Sequence, residues 1–579
     1  MKFKRVSKPG LFDKFLKLIE LTPPSDRITL RILFFAVILS GVWLIYSINT
    51  NNTERTPIHG GVLHEGIIGT PRFVNPVLAN TRADQDVTAL LYSGLIRIDA
   101  EGNLVPDLAE NITVSEDGLT YSVQLRRDAY FHDGEQITAS DVIFTIQLIQ
   151  DPDLKSPLRG NWSDVTVEEV SEFELNILLE EAYAPFMENF LVGIMPEHLW
   201  NKLPTEQLPF SQLNTEPIGS GPFELVNARR DASGLIESYV LSAFRTNPQS
   251  PNIDSVELYF FNDEEMLISS LESGVIDASA YISNENLQSI LEDNDMQLIS
   301  EPLPRVFGVF LNPNRSAALR DDAVREALTT AIDRDELIRI ALYGQGVPIT
   351  GPVASLSDTL ESEEGSDETE GTPTERAALI LEENGWTKNN IGLLEKQIDG
   401  STETLTITIR TSNAPLFNTV TDVVKESWEA IGIEVVVEQY EQTGLVQSVI
   451  RPRDFQALLF GLDMSRSQDL YPFWHSSQKD DPGLNIAQYT NLTVDALLEE
   501  ARTEQDSALR SEALAEAGMI IAEEQPAIFL FQPLMTYVVS EDFIVPPLSQ
   551  VARPSDRFSN TANWYTDSDE LWGVFRQDI

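Results

Sequence analysis

Apolar spacing divides this chain into parts of different character. Ile32 to Ile48 is an apolar run without a charge, set in RILFFAVILSGVWLIYSI from Arg31. At 1.5 Å per helical residue it spans roughly 26 Å, just enough for the hydrocarbon core of a bilayer. From Gly60 onward the apolar segments are short. Thr120 to Arg126 alternates, with Tyr121, Val123 and Leu125 on one face, which predicts a half-buried strand. His132-Asp133-Gly134 reads as a turn. Thr138 then stands three residues before Asp141, a capping-box spacing, and Val142, Ile143, Ile146 and Ile149 follow at helical spacing. Phe307 begins another strand, FGVFLNPN, and Leu319 to Ile338 reads as one helical run with Ala323, Ala327, Leu328, Ala331 and Ile332 on one stripe. Leu405–Arg410 predicts a strand, Phe417–Ile431 an amphipathic helix ended by Gly432, and Ile433–Tyr440 the next strand. That alternation belongs to an α/β lobe.

Length and charge narrow the picture. A chain of 579 residues is too long for one core, so two or three domains are expected. A net charge of −51 argues against nucleic acid and against anionic membrane surfaces. There is no cysteine, which excludes disulfides, thiolate metal sites, cysteine nucleophiles and a lipid-modified cysteine anchor. Basic residues outnumber acids before Tyr46 and the reverse holds afterwards, so the positive-inside rule leaves residues 1–30 in the cytoplasm and 50–579 outside. The apolar run is long for a signal peptide, and no small-x-small site stands at Ile48-Asn49-Thr50, which favours an uncleaved anchor over residues 31–48. Lys14–Leu21 reads as a short basic amphipathic helix, Asn49–Pro57 as a polar tether, and Ser355–Glu375 as an acidic solvated loop.

Catalytic signatures are missing. His59, His64, His132, His198 and His475 show no metal-ligand spacing. Neither G-x-S-x-G nor S-x-x-K with its partner motifs occurs, and Asp321-Asp322 are adjacent on a helix, where neighbours do not face each other. The glycines of Pro217–Phe223 precede no GK[ST] and read as a tight turn rather than a phosphate cradle. No cofactor and no metal are expected.

The order of short motifs is more specific than any one of them. Asp117, Gly118, Tyr121, Leu125, Arg126, Phe131, Asp133, Gly134, Thr138, Ala139, Asp141 and Val142 fit D-G-x-x-Y-x-F-x-L-R, F-x-D-G and T-A-x-D-V in sequence, with Val123 at the F position. Gly60-Gly61-Val62-Leu63, Asn75-Pro76, Leu91-Tyr92-Ser93-Gly94-Leu95, Pro106–Glu110, Ala184-Pro185-Phe186, Ile194–Leu199, Pro217–Phe223 and Leu267–Asp277 continue the order. Together they resemble the family 5 solute-binding proteins, the large extracytoplasmic peptide-binding subunits of ABC importers. The resemblance implies an α/β, two-lobe periplasmic-binding-protein-like fold of type II, the large cluster with an extra subdomain, here behind an N-terminal transmembrane helix. The implied division is a basic segment 1–30, an anchor 31–48, a linker 49–58, lobe I over 59–305 with an inserted subdomain at about 84–213, lobe II over 306–525 and a return over 526–579, with the hinge near Pro304. It implies capture of oligopeptides by lobe closure, delivery to permease subunits, no enzymatic turnover and a monomer.

The same resemblance points to Ala457–Ser477 as the ligand segment. Phe460 and Gly461 lie on its strand, and Asp463 is the residue carried over as ligand for a peptide ammonium. Ser467 and Gln468 replace the family's usual Asp-Pro, so Asp469 competes with Asp463 for that role. Arg410 is the candidate for the ligand carboxylate, with Arg466 second. Trp474 lies with Tyr471 and Phe473 in the loop after that strand, and Asn75 to Leu78 with Tyr92 are the candidates for the opposite wall. Relatives of this fold also take nickel complexes, opines or sugars, and a sensor or an anchored cell-wall hydrolase are the other readings kept open.

Overall fold

The computed structural model describes Lys14, Lys17 and residues 23–247, 249–293, 295–353, 371–398 and 400–572. The acidic stretch 355–370 and the basic segment before residue 23, Lys14 and Lys17 aside, lie outside them. Residues 1–58 with 566–579 form one unit and His59–Tyr565 the other.

The smaller unit holds the helix Pro24–Asn52, longer at both ends than the apolar run. Its Ile32, Phe35, Leu39 and Trp43 are exposed. Among the described residues no helix is long and apolar enough to cross a membrane. Thr53–Pro57, read above as tether, is a strand paired antiparallel with Ser568–Trp572, a partner some 500 residues away that local patterning does not reveal.

Twelve strands share one sheet in the larger unit. They are β1 (Val62–Ile68), β2 (Phe223–Arg230), β3 (Ile236–Ala243), β4 (Ser255–Phe261), β5 (Ala278–Ser279), β6 (Met296–Pro302), β7 (Arg305–Leu311), β8 (Gly346–Pro348), β9 (Thr406–Ser412), β10 (Glu434–Tyr440), β11 (Ala457–Asp463) and β12 (Ala527–Ser540). The order is β10-β9-β11-β7-β12-β5-β1-β4-β3-β2, with β6 and β8 also on β12. β12 serves both halves. Ala527–Phe531 pairs with β7, while Leu534–Ser540 pairs with β6. The change falls at Pro533, and the second connection between the halves is Pro302-Leu303-Pro304, linking β6 to β7. Proline cannot donate to a ladder, and at Pro533 β12 exchanges β7 for β6 as its partner while the strand itself runs on. Leu303 N–H donates to Pro533 O (3.0 Å), which ties the two crossings together.

Each half has its own core. Leu63, Ile67, Tyr239, Leu258 and Tyr537 pack in the first. In the second, Ile407, Ile409, Val424 and Trp428 fill one cluster and Phe310, Leu458, Trp474 and Phe529 another. Between β1 and β2 the chain builds a separate four-stranded antiparallel sheet ordered Ala109–Val114, Thr120–Leu125, Glu174–Leu179, Val165–Ser171. Its core takes Tyr121, Val123, Phe131, Val142, Ile146, Phe186 and Phe190. Thr138 caps the helix Ala139–Gln150 with Asp141 closing the box. The run Leu319–Ile338 is two helices rather than one, because the Asp333 carboxylate accepts from Glu336 N–H and starts a new helix at Arg334.

The first half also buries charge. Arg557 is fully enclosed between two carboxylates, reaching Asp86 Oδ1 and Oδ2 at 2.8 Å each and Glu65 Oε1 at 2.8 and 3.2 Å. Tyr537 Oη donates to Glu65 (2.9 Å) and Tyr281 Oη to Asp86 (2.8 Å). The network ties the C-terminal segment to β1 and the helix Arg82–Leu91, and each acceptor has a donor.

Candidate ligand site at the lobe junction

β11 is buried through Ala457, Leu458 and Leu459 and emerges at Phe460 and Gly461. Gly461 lies opposite Phe307 of β7, and a Cβ there would stand 3.0 Å from the Phe307 ring, so a side chain would press on it. At the strand's exposed end Asp463 is in register with Arg305, whose Nε lies 3.3 Å from Asp463 Oδ2. Met464 N–H donates to Pro304 O (2.8 Å), so the pairing runs on to the crossing between the halves.

The loop after Asp463 touches both neighbouring parts. Gln468 has φ 51°, which a proline could not adopt, so the missing Asp-Pro fits a different local course. Asp469 is buried. It accepts from Tyr471 N–H (3.0 Å) and Tyr183 Oη (3.3 Å) and sits 3.6 Å from Arg502 Nε. The Arg502 guanidinium lies 4.3 Å from the Tyr471 ring centroid and 4.8 Å from that of Tyr183, a cation–π sandwich. Burial raises the Asp469 carboxyl above its ordinary value, against the pull of Tyr471 N–H and Arg502. Arg466 pairs with Asp556 and Gln550 O of the C-terminal segment. Glu188, five residues past Tyr183, is pushed up to about 7 by burial, although Arg466, Arg553 and Arg510 pull it down.

The remaining candidates lie elsewhere. Arg410 of β9 binds Glu438 of β10 (2.7 Å) and Asp454 (3.0 Å). It is in register with Leu458, so roughly 16 Å of strand separate it from the Asp463 end. Asn75 is buried, accepting from Val77 N–H (2.9 Å) and donating to Asn214 Oδ1 (3.2 Å). Trp474 is 1% exposed, inside the second half's core. Tyr92 is buried below the glycine turn, where a Cβ on Gly219 would stand 1.9 Å from Leu91 O and one on Gly193 2.5 Å from Tyr92 Cβ. His132 spans the same turn. Gly219 N–H donates to its Nδ1 and its Nε2 to Gly221 O, both at 3.2 Å, and burial lowers its pKa to about 4. Asp463, Phe460, Gly461, Asp469 and Arg466 are therefore gathered at the junction, while Arg410, Asn75, Tyr92 and Trp474 are not. Arg305, Tyr183, Glu188 and Arg502 join the junction group through partners distant in sequence. Of these only Arg305, beside the predicted hinge proline, carried a local signal.

Among the described residues no group of three or more His, Cys, Asp or Glu side chains could hold a metal ion.

Residues 103–482 match the model of the bacterial extracellular solute-binding proteins, family 5. The oligopeptide-binding protein AppA of Bacillus subtilis (strain 168) is 30% identical over 490 residues, 82% of this chain and 87% of AppA. The structure of Bacillus subtilis AppA in complex with a nonapeptide superposes with a TM-score of 0.62 at 27% identity, covering 88% of this chain and all of that one. NikZ of Campylobacter jejuni, solved with Ni(L-His), shares the fold at a TM-score of 0.63 and 24% identity, covering 87% of this chain and 99% of its own.

Proposed function

The chain belongs to the bacterial extracellular solute-binding proteins of family 5, and from that premise we propose that it captures oligopeptides outside the cell and passes them unaltered to the permease of an ABC importer. The observation that carries the peptide reading is the likeness to oligopeptide-binding AppA over most of both chains. The junction suits such a ligand. An extended peptide has unpaired N–H and C=O groups, and a strand end such as β11 can pair them while side chains project into room between the lobes. Asp463 is the carboxylate that faces out there. Asp469, engaged by Tyr183 and Arg502, holds the lobes together instead. Arg410 meets a ligand carboxylate only by giving up Glu438 or Asp454. Closure is a hinge motion about Pro302–Pro304 and Pro533, so residues 305–532 move as lobe II and residues 59–302 with 534–565 as lobe I.

The same reading places residues 31–48 in the membrane. The uncharged run and its exposed Ile32, Phe35, Leu39 and Trp43 support it. A tethered receptor stays at high effective concentration beside its transporter. Protease added to intact cells should then digest the large unit and spare the first 30 residues. Digestion of neither, or of both, contradicts the topology.

Mass spectrometry of whatever co-purifies with the full chain tests the ligand class. Short peptides are expected, and a sugar, opine or nickel complex in their place would overturn the peptide reading.

A further inference from the structure

Resting on that peptide reading, we infer that Arg305 makes the Asp463 end of the site take an uncharged peptide group, so that ligands with a blocked N-terminus are bound as well as free peptides. β7 and β11 pair antiparallel over seven residues, from Arg305↔Asp463 to Leu311↔Ala457, and Met464 N–H to Pro304 O extends the ladder. Directly opposed residues on one face have Cβ atoms about 4.5–5.5 Å apart. The Arg305 cation therefore stands beside Asp463 by construction, and its Nε is 3.3 Å from the carboxylate.

An ammonium is donor-only and positive. It gains most from a carboxylate with no cation beside it. Here Arg305 cancels much of the carboxylate's field and opposes a second positive charge. Both partners remain partly open to solvent, at 40% and 62% of their side-chain surface, so both can reach a ligand. What fits the pair is a group with one donor and one acceptor. A peptide or N-acyl amide supplies these, its N–H to Asp463 and its C=O to Arg305. The strand end would then accept the interior of a longer peptide or an acylated terminus equally.

The test is titration of the full chain in detergent with a six-residue peptide library prepared twice, with free and with N-acetylated termini. The two affinities should agree within about threefold, and Arg305→Leu should shift preference to the free amine by about tenfold or more, since removing the cation restores the carboxylate's field. Arg305→Lys keeps the charge and should keep tolerance of the acetyl group. Arg305→Gln repeats the test if the apolar variant does not fold. A wild-type preference for the free amine above tenfold, or an unchanged ratio in both uncharged variants, overturns the inference. Binding of neither library overturns the peptide reading beneath it.

Discussion

Arg305 and Asp463 face each other across the β7–β11 pair, one at the first residue of its strand and the other at the last. The pair is half open to water, so its loss should change fold stability by less than about 1 kcal/mol. Its loss to a ligand is larger. Asp463→Ala should weaken peptide binding by about 1.5–3 kcal/mol, the range for a hydrogen bond to a charged group, with the melting temperature nearly unchanged. Calorimetry beside a thermal melt checks both. Equal affinity in the variant would remove Asp463 from the site.

Tyr183, just past the four-stranded antiparallel sheet, donates to Asp469 on the loop after β11 through a bond of 3.3 Å. Tyr183→Phe should weaken the closed state by about 0.5–1.5 kcal/mol, seen as faster peptide release in stopped flow with little change in association. Slower association with unchanged release would mean that the bond acts before closure.

Glu188 gives a pH dependence of defined sign. Its carboxyl is raised to about 7 in the folded state, so folding favours the protonated form. The stability this supplies is complete below the unfolded value near 4.5 and is lost as pH rises through about 7. Glu188→Gln should therefore match the wild type at pH 4.5 and be more stable at pH 8 by about 1–3 kcal/mol. Melts across that range test it. A variant less stable at pH 8 would show that the surrounding arginines outweigh burial.

What the sequence revealed was local. The caps at Thr138 and Asp141, the helix stop at Gly432 and the turn at His132-Asp133-Gly134 depend on residues within one turn of each other, and the structure has them where spacing put them. The motif order carried the fold for the same reason, since each glycine or proline marks one bend. Partners distant in sequence were not readable. Arg410 looked free at a strand end, but parallel pairing with β10 sets Glu438 beside it. Tyr92 looked like a wall residue. The clue to its burial was the number of glycines in the segments that cover it, Gly193, Gly219 and Gly221, none with room for a Cβ.

Arg557 is the extreme case of a distant partner, bonded to Glu65 and Asp86 nearly 500 residues away. Arg557→Met leaves two carboxylates buried without their cation and should cost about 3–5 kcal/mol. Arg557→Lys should recover only part, because an ammonium cannot reproduce the bidentate contact with Asp86 while also reaching Glu65. Urea unfolding of both variants measures it, and a Met variant as stable as the wild type would contradict the network's assigned role.

The most direct test of the whole account is calorimetric titration of the full chain with oligopeptides, with the peptides assayed by mass spectrometry before and after. Saturable binding of one peptide per chain, recovered with its mass unchanged, is the predicted result. Cleaved or modified peptide, or heat that never saturates, would contradict it.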